Sequence, residues 1–197
     1  MKRYIQSLKH AIAGGFLHQG DVLLFRGEGA IAKVIQAFTG SEYSHAAMVG
    51  WWAVDNDAEP MCLESREWVG IRSTTLASQV KRAPGRIDVY RIRDGWKRTA
   101  TMGPSVAYMR DATGGDYGYA NVLAASVRRL PVWRFLVKPD TNDKAVSKSP
   151  PFCSQLVDQA LRKVDQDVAP NKASRLTTPG DLATSSTLVY QYTLGAV

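Results

Sequence analysis

Residues 44–54 read Ser-His-Ala-Ala-Met-Val-Gly-Trp-Trp-Ala-Val. This near-continuous apolar run is too short for a membrane span, which takes roughly 20 residues. It fits a central strand covered on both faces. Asp55 to Pro60 reads as a loop, and Met61 to Ser65 as the next strand. Gly70 to Leu76 is a third extended piece ending in a turn. Arg86 to Arg93 alternates apolar Ile87 and Val89 with Asp88 and Arg91, as a half-exposed strand does. Strands in sequence with short links predict an antiparallel meander. Upstream, Val22 to Phe25 is a short apolar strand. Ile31, Val34, Ile35 and Phe38 then mark one face of a helix that Thr39-Gly40-Ser41 ends. Residues 1–19 predict a short amphipathic helix, and residues 20–197 a single domain. Downstream the chain turns helical: Thr101 to Ala112, Asn121 to Leu130, and a strongly amphipathic stretch from Cys153. Lys138 to Pro151 reads as an exposed loop or lid, and Leu188 to Leu194 as a last strand. The expected class is α+β, an antiparallel sheet packed against helices.

The chain has 197 residues, 25 Lys+Arg against 18 Asp+Glu, 3 His and 2 Cys. That length suits one domain. Two cysteines rule out a disulfide framework. They lie far apart, without Cys-x-x-Cys or His-x-x-x-His, so no structural metal site and no cofactor is expected. The net charge of +7 is dispersed over pairs such as Lys81-Arg82 and Arg128-Arg129. No long basic run or aromatic-interleaved signature marks a nucleic-acid binder. An anionic wall polymer or a lipid headgroup is a partner consistent with the charge. Gly27-Glu28-Gly29 lacks the spacing of a phosphate loop. No export signal is read at the N-terminus, where Gly14 and Gly15 break the apolar stretch. The expectation is a protein cytoplasmic as synthesised, or phage-encoded, or exported by a route without a signal.

Cys153 follows Pro150-Pro151-Phe152 at the start of CSQLVDQALRKV. Proline favours helix starts. A thiol there meets unpaired N–H groups and the positive end of the helix dipole, which favour a thiolate. A buried, inert cysteine fits the position equally well. Of three histidines, His10 and His18 lie in the N-terminal segment. His45 opens the central strand, a stiff mount for a base, although a core histidine would sit there too. Glu64 lies in the next strand, where a carboxylate among apolar residues is costly unless paired. If the two strands are neighbours, Glu64 lies beside His45. Cys62 shares the face of Glu64 but has no helix start, and reads as core packing.

In order, GDVLLF from Gly20, YSHAAMVGWW from Tyr43, CLES from Cys62 and PFCSQLVDQAL from Pro151 resemble the circularly permuted branch of NlpC-type papain-like cysteine hydrolases. This is the YiiX/YebB-like group, related to lecithin:retinol acyltransferase. The resemblance spans about residues 20–185. It implies a permuted papain-like (NlpC-like) fold, with Cys153 as nucleophile, His45 as base and acid, and Glu64 orienting His45. The group often has Tyr before the Cys, where this chain has Phe152. Tyr43 and Tyr117 are candidate substrate contacts in its place, with Phe152 itself. Gly20 and Asp21 are expected to serve structure.

The implied activity is hydrolysis of an amide through a thioester acyl-enzyme, on a cell-wall peptide or an isopeptide. A lipid acyl hydrolase or acyltransferase is the second reading. A non-enzymatic phage or binding module on the same fold is the third.

Overall fold

A computed structural model describes residues 4–54, 57–93, 102–118, 150–170 and 172–196. The expected helix over Asn121–Leu130 and nearly all of the loop from Lys138 lie outside these. Among the described residues, seven strands form one sheet in the order β1-β7-β6-β2-β3-β4-β5. They are β1 (Tyr4–Ser7), β2 (Val22–Phe25), β3 (His45–Val54), β4 (Asp57–Arg66), β5 (Gly70–Thr75), β6 (Ile87–Ile92) and β7 (Leu188–Ala196). The helices are α1 (Leu8–Ala13), α2 (Ala30–Thr39), α3 (Leu76–Arg82), α4 (Gly103–Asp111), α5 (Cys153–Arg162) and α6 (Pro179–Thr184). The fold is α+β, as the residue patterns predict.

The 44–54 run does form a central strand. β3 pairs antiparallel with β2 on one side and β4 on the other. Its residues alternate between two cores. Ala46 and Met48 join Leu156, Val157 and Leu161 of α5. Ala47 and Val49 join Leu8 of α1, and Leu76 and Val80 of α3. Helices therefore cover both faces, and an unbroken apolar strand is the stable solution. Full burial of a Leu or Val side chain contributes roughly 1.5–3 kcal/mol. The buried Leu156, Val157 and Leu161 therefore clamp α5 firmly to the sheet.

Several expectations change. The N-terminal segment is not all helix: Tyr4–Ser7 is a strand, parallel to β7, so the sheet is not wholly antiparallel. Ser7 then accepts a hydrogen bond from the His10 N–H at 3.1 Å and caps α1. β4 begins at Asp57, earlier than read, because pairing with β3 runs out to Val54↔Asp57. Pro60 is tolerated there because β5 ends at Thr75↔Met61, leaving that side of Pro60 without a partner. Leu76 does not end a turn; it starts α3, capped by the Thr75 side chain. β6 is not half-exposed. It lies between β2 and β7, and Asp88 is wholly buried. Its carboxylate accepts hydrogen bonds from Tyr43 Oη (2.6 Å), Thr193 Oγ1 (2.6 Å) and Arg26 Nη2 (3.0 Å). Those partners satisfy a charge that the alternation rule places in water.

Candidate active site

β3 and β4 bring the first two site residues together by register alone. Glu64 pairs with Ala47, so it shares a sheet face with His45, one diagonal step away. His45 Nε2 and Glu64 Oε2 are 2.7 Å apart. Glu64 is fully buried, whereas the His45 side chain is 13% exposed. Arg72, directly opposite Glu64 on β5, donates to Glu64 Oε1 from Nε at 2.8 Å and Nη2 at 2.6 Å. Each carboxylate oxygen therefore has its own donor. Burial pushes the Glu64 pKa up, but His45 and then Arg72 outweigh it and bring it to about 2. An ionised Glu64 accepts only, so Nε2 carries the proton and Nδ1 is left to act as base.

Cys153 opens α5, as the proline-bounded pattern predicts, with Phe152 as the N-cap residue and no side chain capping the helix. Three contacts hold this helix start. Ser65 Oγ donates to the Pro151 carbonyl at 2.8 Å, and Ser154 Oγ donates to the Thr177 carbonyl at 2.8 Å. Gly118 packs so closely on residues 150–152 that a Cβ there would collide with the Pro150 carbonyl. Behind it, α6 begins with a capping box between Thr178 and Asp181.

The thiol and the imidazole meet. Burial pulls the His45 pKa down, but negative charge on Cys153, its hydrogen bond and then Glu64 outweigh this and raise it to about 10. Such coupling favours the imidazolium form of His45. Cys62 lies buried in the core on the α1/α3 side of the sheet. Burial, and next the nearby Glu64, push its thiol well above the ordinary range.

Of the candidate substrate contacts, Tyr117 packs with Leu176 against Phe152 and Cys153. Tyr43 does not join them, because its buried hydroxyl donates to Asp88. Asp21 accepts from Arg91 Nε at 2.6 Å and from the His18 N–H at 2.9 Å, a structural clasp. The residue reading missed Arg72. The hairpin supplies the signal: pairing of Arg66 with Gly70 places residue 72 opposite 64. His45 also lines a cavity of about 590 Å³, bordered by the start of α2, by Arg66 and by α3. Among the described residues, no group of three His, Cys, Asp or Glu side chains could hold a metal ion. No described helix is long and apolar enough to cross a membrane.

A thiol at a helix start, an imidazole on a strand and a carboxylate bonded to its Nε2 are groups able to serve nucleophilic acyl transfer. Comparison makes the class specific. The family model described as permuted papain-like amidase enzyme, YaeF/YiiX, C92 family, matches residues 16–127. The chain belongs to that family, which comprises cysteine hydrolases of amide bonds. The fold is similar to a crystal structure of the metalloprotein YiiX from Escherichia coli O157:H7. The identity is 13%, the TM-score 0.59, and the match covers 90% of this chain and 98% of that one. No curated protein matches the chain.

Proposed function

We propose that this chain hydrolyses an amide through a thioester on Cys153, and that its substrate is a peptide or isopeptide of the kind found in cell walls. The observation that carries the reading is the 2.7 Å bond from His45 Nε2 to buried Glu64, which frees Nδ1 for Cys153. The Cys153 thiolate adds to the carbonyl carbon. The first-turn N–H groups of α5, including that of Cys153, hold the oxyanion. The C–N bond breaks as His45 gives its Nδ1 proton to the departing amine. Water, deprotonated by the same nitrogen, then attacks the thioester, releasing the acid and restoring the thiolate. Glu64 holds the imidazole ring and its charge throughout, and Arg72 holds Glu64.

The lipid acyl reading has one observation in its favour. The apolar face of α2 is uncovered, with Ile31, Val34 and Phe38 exposed, and it borders the cavity that His45 lines. Muropeptides, isopeptides and acyl-lipid vesicles assayed side by side separate the two. The wild-type chain is expected to cleave the amides and to carry the acyl group on Cys153 by mass spectrometry. Cys153→Ala is expected to show neither. Undiminished hydrolysis by Cys153→Ala would overturn the assignment.

A further inference from the structure

Two of the residues that line the cavity beside His45 carry a buried donor with no acceptor. Gln79 of α3 is 2% exposed, yet its Nε2 has no acceptor. Its Oε1 is occupied by Arg66 Nη1 at 3.4 Å. Arg26 also lines the cavity, and its Nε has no hydrogen-bond acceptor either. The rest of that guanidinium is engaged: Nη2 donates to Asp88 Oδ1 at 3.0 Å and to the Gly85 carbonyl at 2.8 Å, and Nε lies 3.9 Å from Glu42. Arg82 lines the same space, and no ion pair engages its guanidinium among the described residues. Arg86 contributes a fourth guanidinium, paired with Glu28. Glu28 and Glu67 are the acidic lining residues, against four arginines. The first turn of α2, ten residues long, faces the cavity behind Gly29, and no side chain caps it.

Buried donors are normally satisfied, and an exception calls for a missing partner. Here the groups without an acceptor, Gln79 Nε2 and Arg26 Nε, are donors, and they belong to residues that line one cavity with His45 and the cationic Arg82. Guanidinium forks, an amide N–H₂ and a helix N-terminus together match one chemistry, an oxyanion. We propose that this cavity is an anion subsite, taking a carboxylate or phosphate carried by the molecule whose scissile bond reaches His45 and Cys153. The proposal rests on the amidase reading for the identity of that molecule, but not for the binding itself. It gives the dispersed positive charge a local use, drawn from the residue after β2, from β4 and α3, and from the loop before β6.

The test is binding without turnover. The full chain is titrated by calorimetry with N-acetylglutamate, with glycerol 3-phosphate and with uncharged N-acetylglutamine. At least one anion is expected to bind tenfold or more tightly than N-acetylglutamine. Gln79→Leu and Arg82→Gln are each expected to weaken that anion about tenfold without lowering the unfolding temperature. Gln79→Leu replaces an orphaned amide with an apolar group, so a purely packing role would leave binding unchanged. Arg82 lies on the surface, and its variant tests the site even if Gln79→Leu folds poorly. Preference for N-acetylglutamate supports a carboxylated substrate, and preference for glycerol 3-phosphate supports a phosphate-bearing one. Equal binding of all three probes, or anion binding untouched by both substitutions, overturns the proposal. Failure of amide hydrolysis alone would overturn the activity and leave the subsite standing.

Discussion

Glu64→Gln keeps the shape at the far side of His45 and removes the charge. His45 rises from an ordinary 6.5 to about 10, and at about 1.4 kcal/mol per unit this is about 5 kcal/mol of net preference for the imidazolium. Cys153 supplies the larger part and Glu64 the smaller. Loss of a hydrogen bond to a charged group costs roughly 1.5–3 kcal/mol, and about 2 kcal/mol is roughly a 30-fold fall in kcat. KM should hardly move, because Glu64 is buried behind His45 and has no surface for substrate. The alkaline limit of the pH–rate profile should move down from about 10, because the charge that favours the imidazolium is gone. The variant should still fold, since Arg72 is 25% exposed and can turn to water. The assay is hydrolysis of p-nitrophenyl acetate from pH 5 to 11, with His45 followed by NMR titration. A fall of less than about threefold, with the His45 titration unmoved, would refute the orienting role.

Arg72→Met removes the two donors on Glu64 Oε1 and leaves His45 on Oε2, and losing one partner of a buried pair typically costs about 3–5 kcal/mol. Denaturant unfolding should show a large part of that, with partial loss of activity. Asp158 is buried between Arg162 and Thr177. Burial outweighs these partners and lifts its pKa to about 6 from an ordinary 3.8. The folded state therefore binds more protons than the unfolded chain between those values, and stability from this group rises as pH falls from 7 towards 4. Asp158→Asn should flatten that rise, as read from unfolding midpoints at pH 5 and pH 8. Gly118→Ala should displace residues 150–152 and cut activity more than stability, measured by kcat beside thermal unfolding. Cys62→Ala should retain activity, and iodoacetamide should label wild-type Cys153 well before Cys62; equal labelling would contradict the different settings of the two thiols.

The sequence by itself determined the strands from β2 onward, the helix start at Cys153 and the candidates His45 and Glu64. These rest on local rules: apolar runs, proline before a helix, and scarcity of cysteine and histidine. The neighbourhood of β3 and β4 was also legible, because a short link favours antiparallel pairing. What depends on contacts between distant segments was not. Asp88 looked solvent-facing until its partners Tyr43, Thr193 and Arg26 showed a buried charge satisfied from three other segments. Those same bonds take Tyr43 away from substrate. Residues 4–7 form a strand through pairing with β7, near the opposite end of the chain. Arg72 and Gln79 gained meaning only once β5 and α3 were placed against Glu64 and the cavity. A charge in a sequence has a sign but no environment. Whether it is solvent-facing, structural or part of a site is decided by what the tertiary structure sets against it.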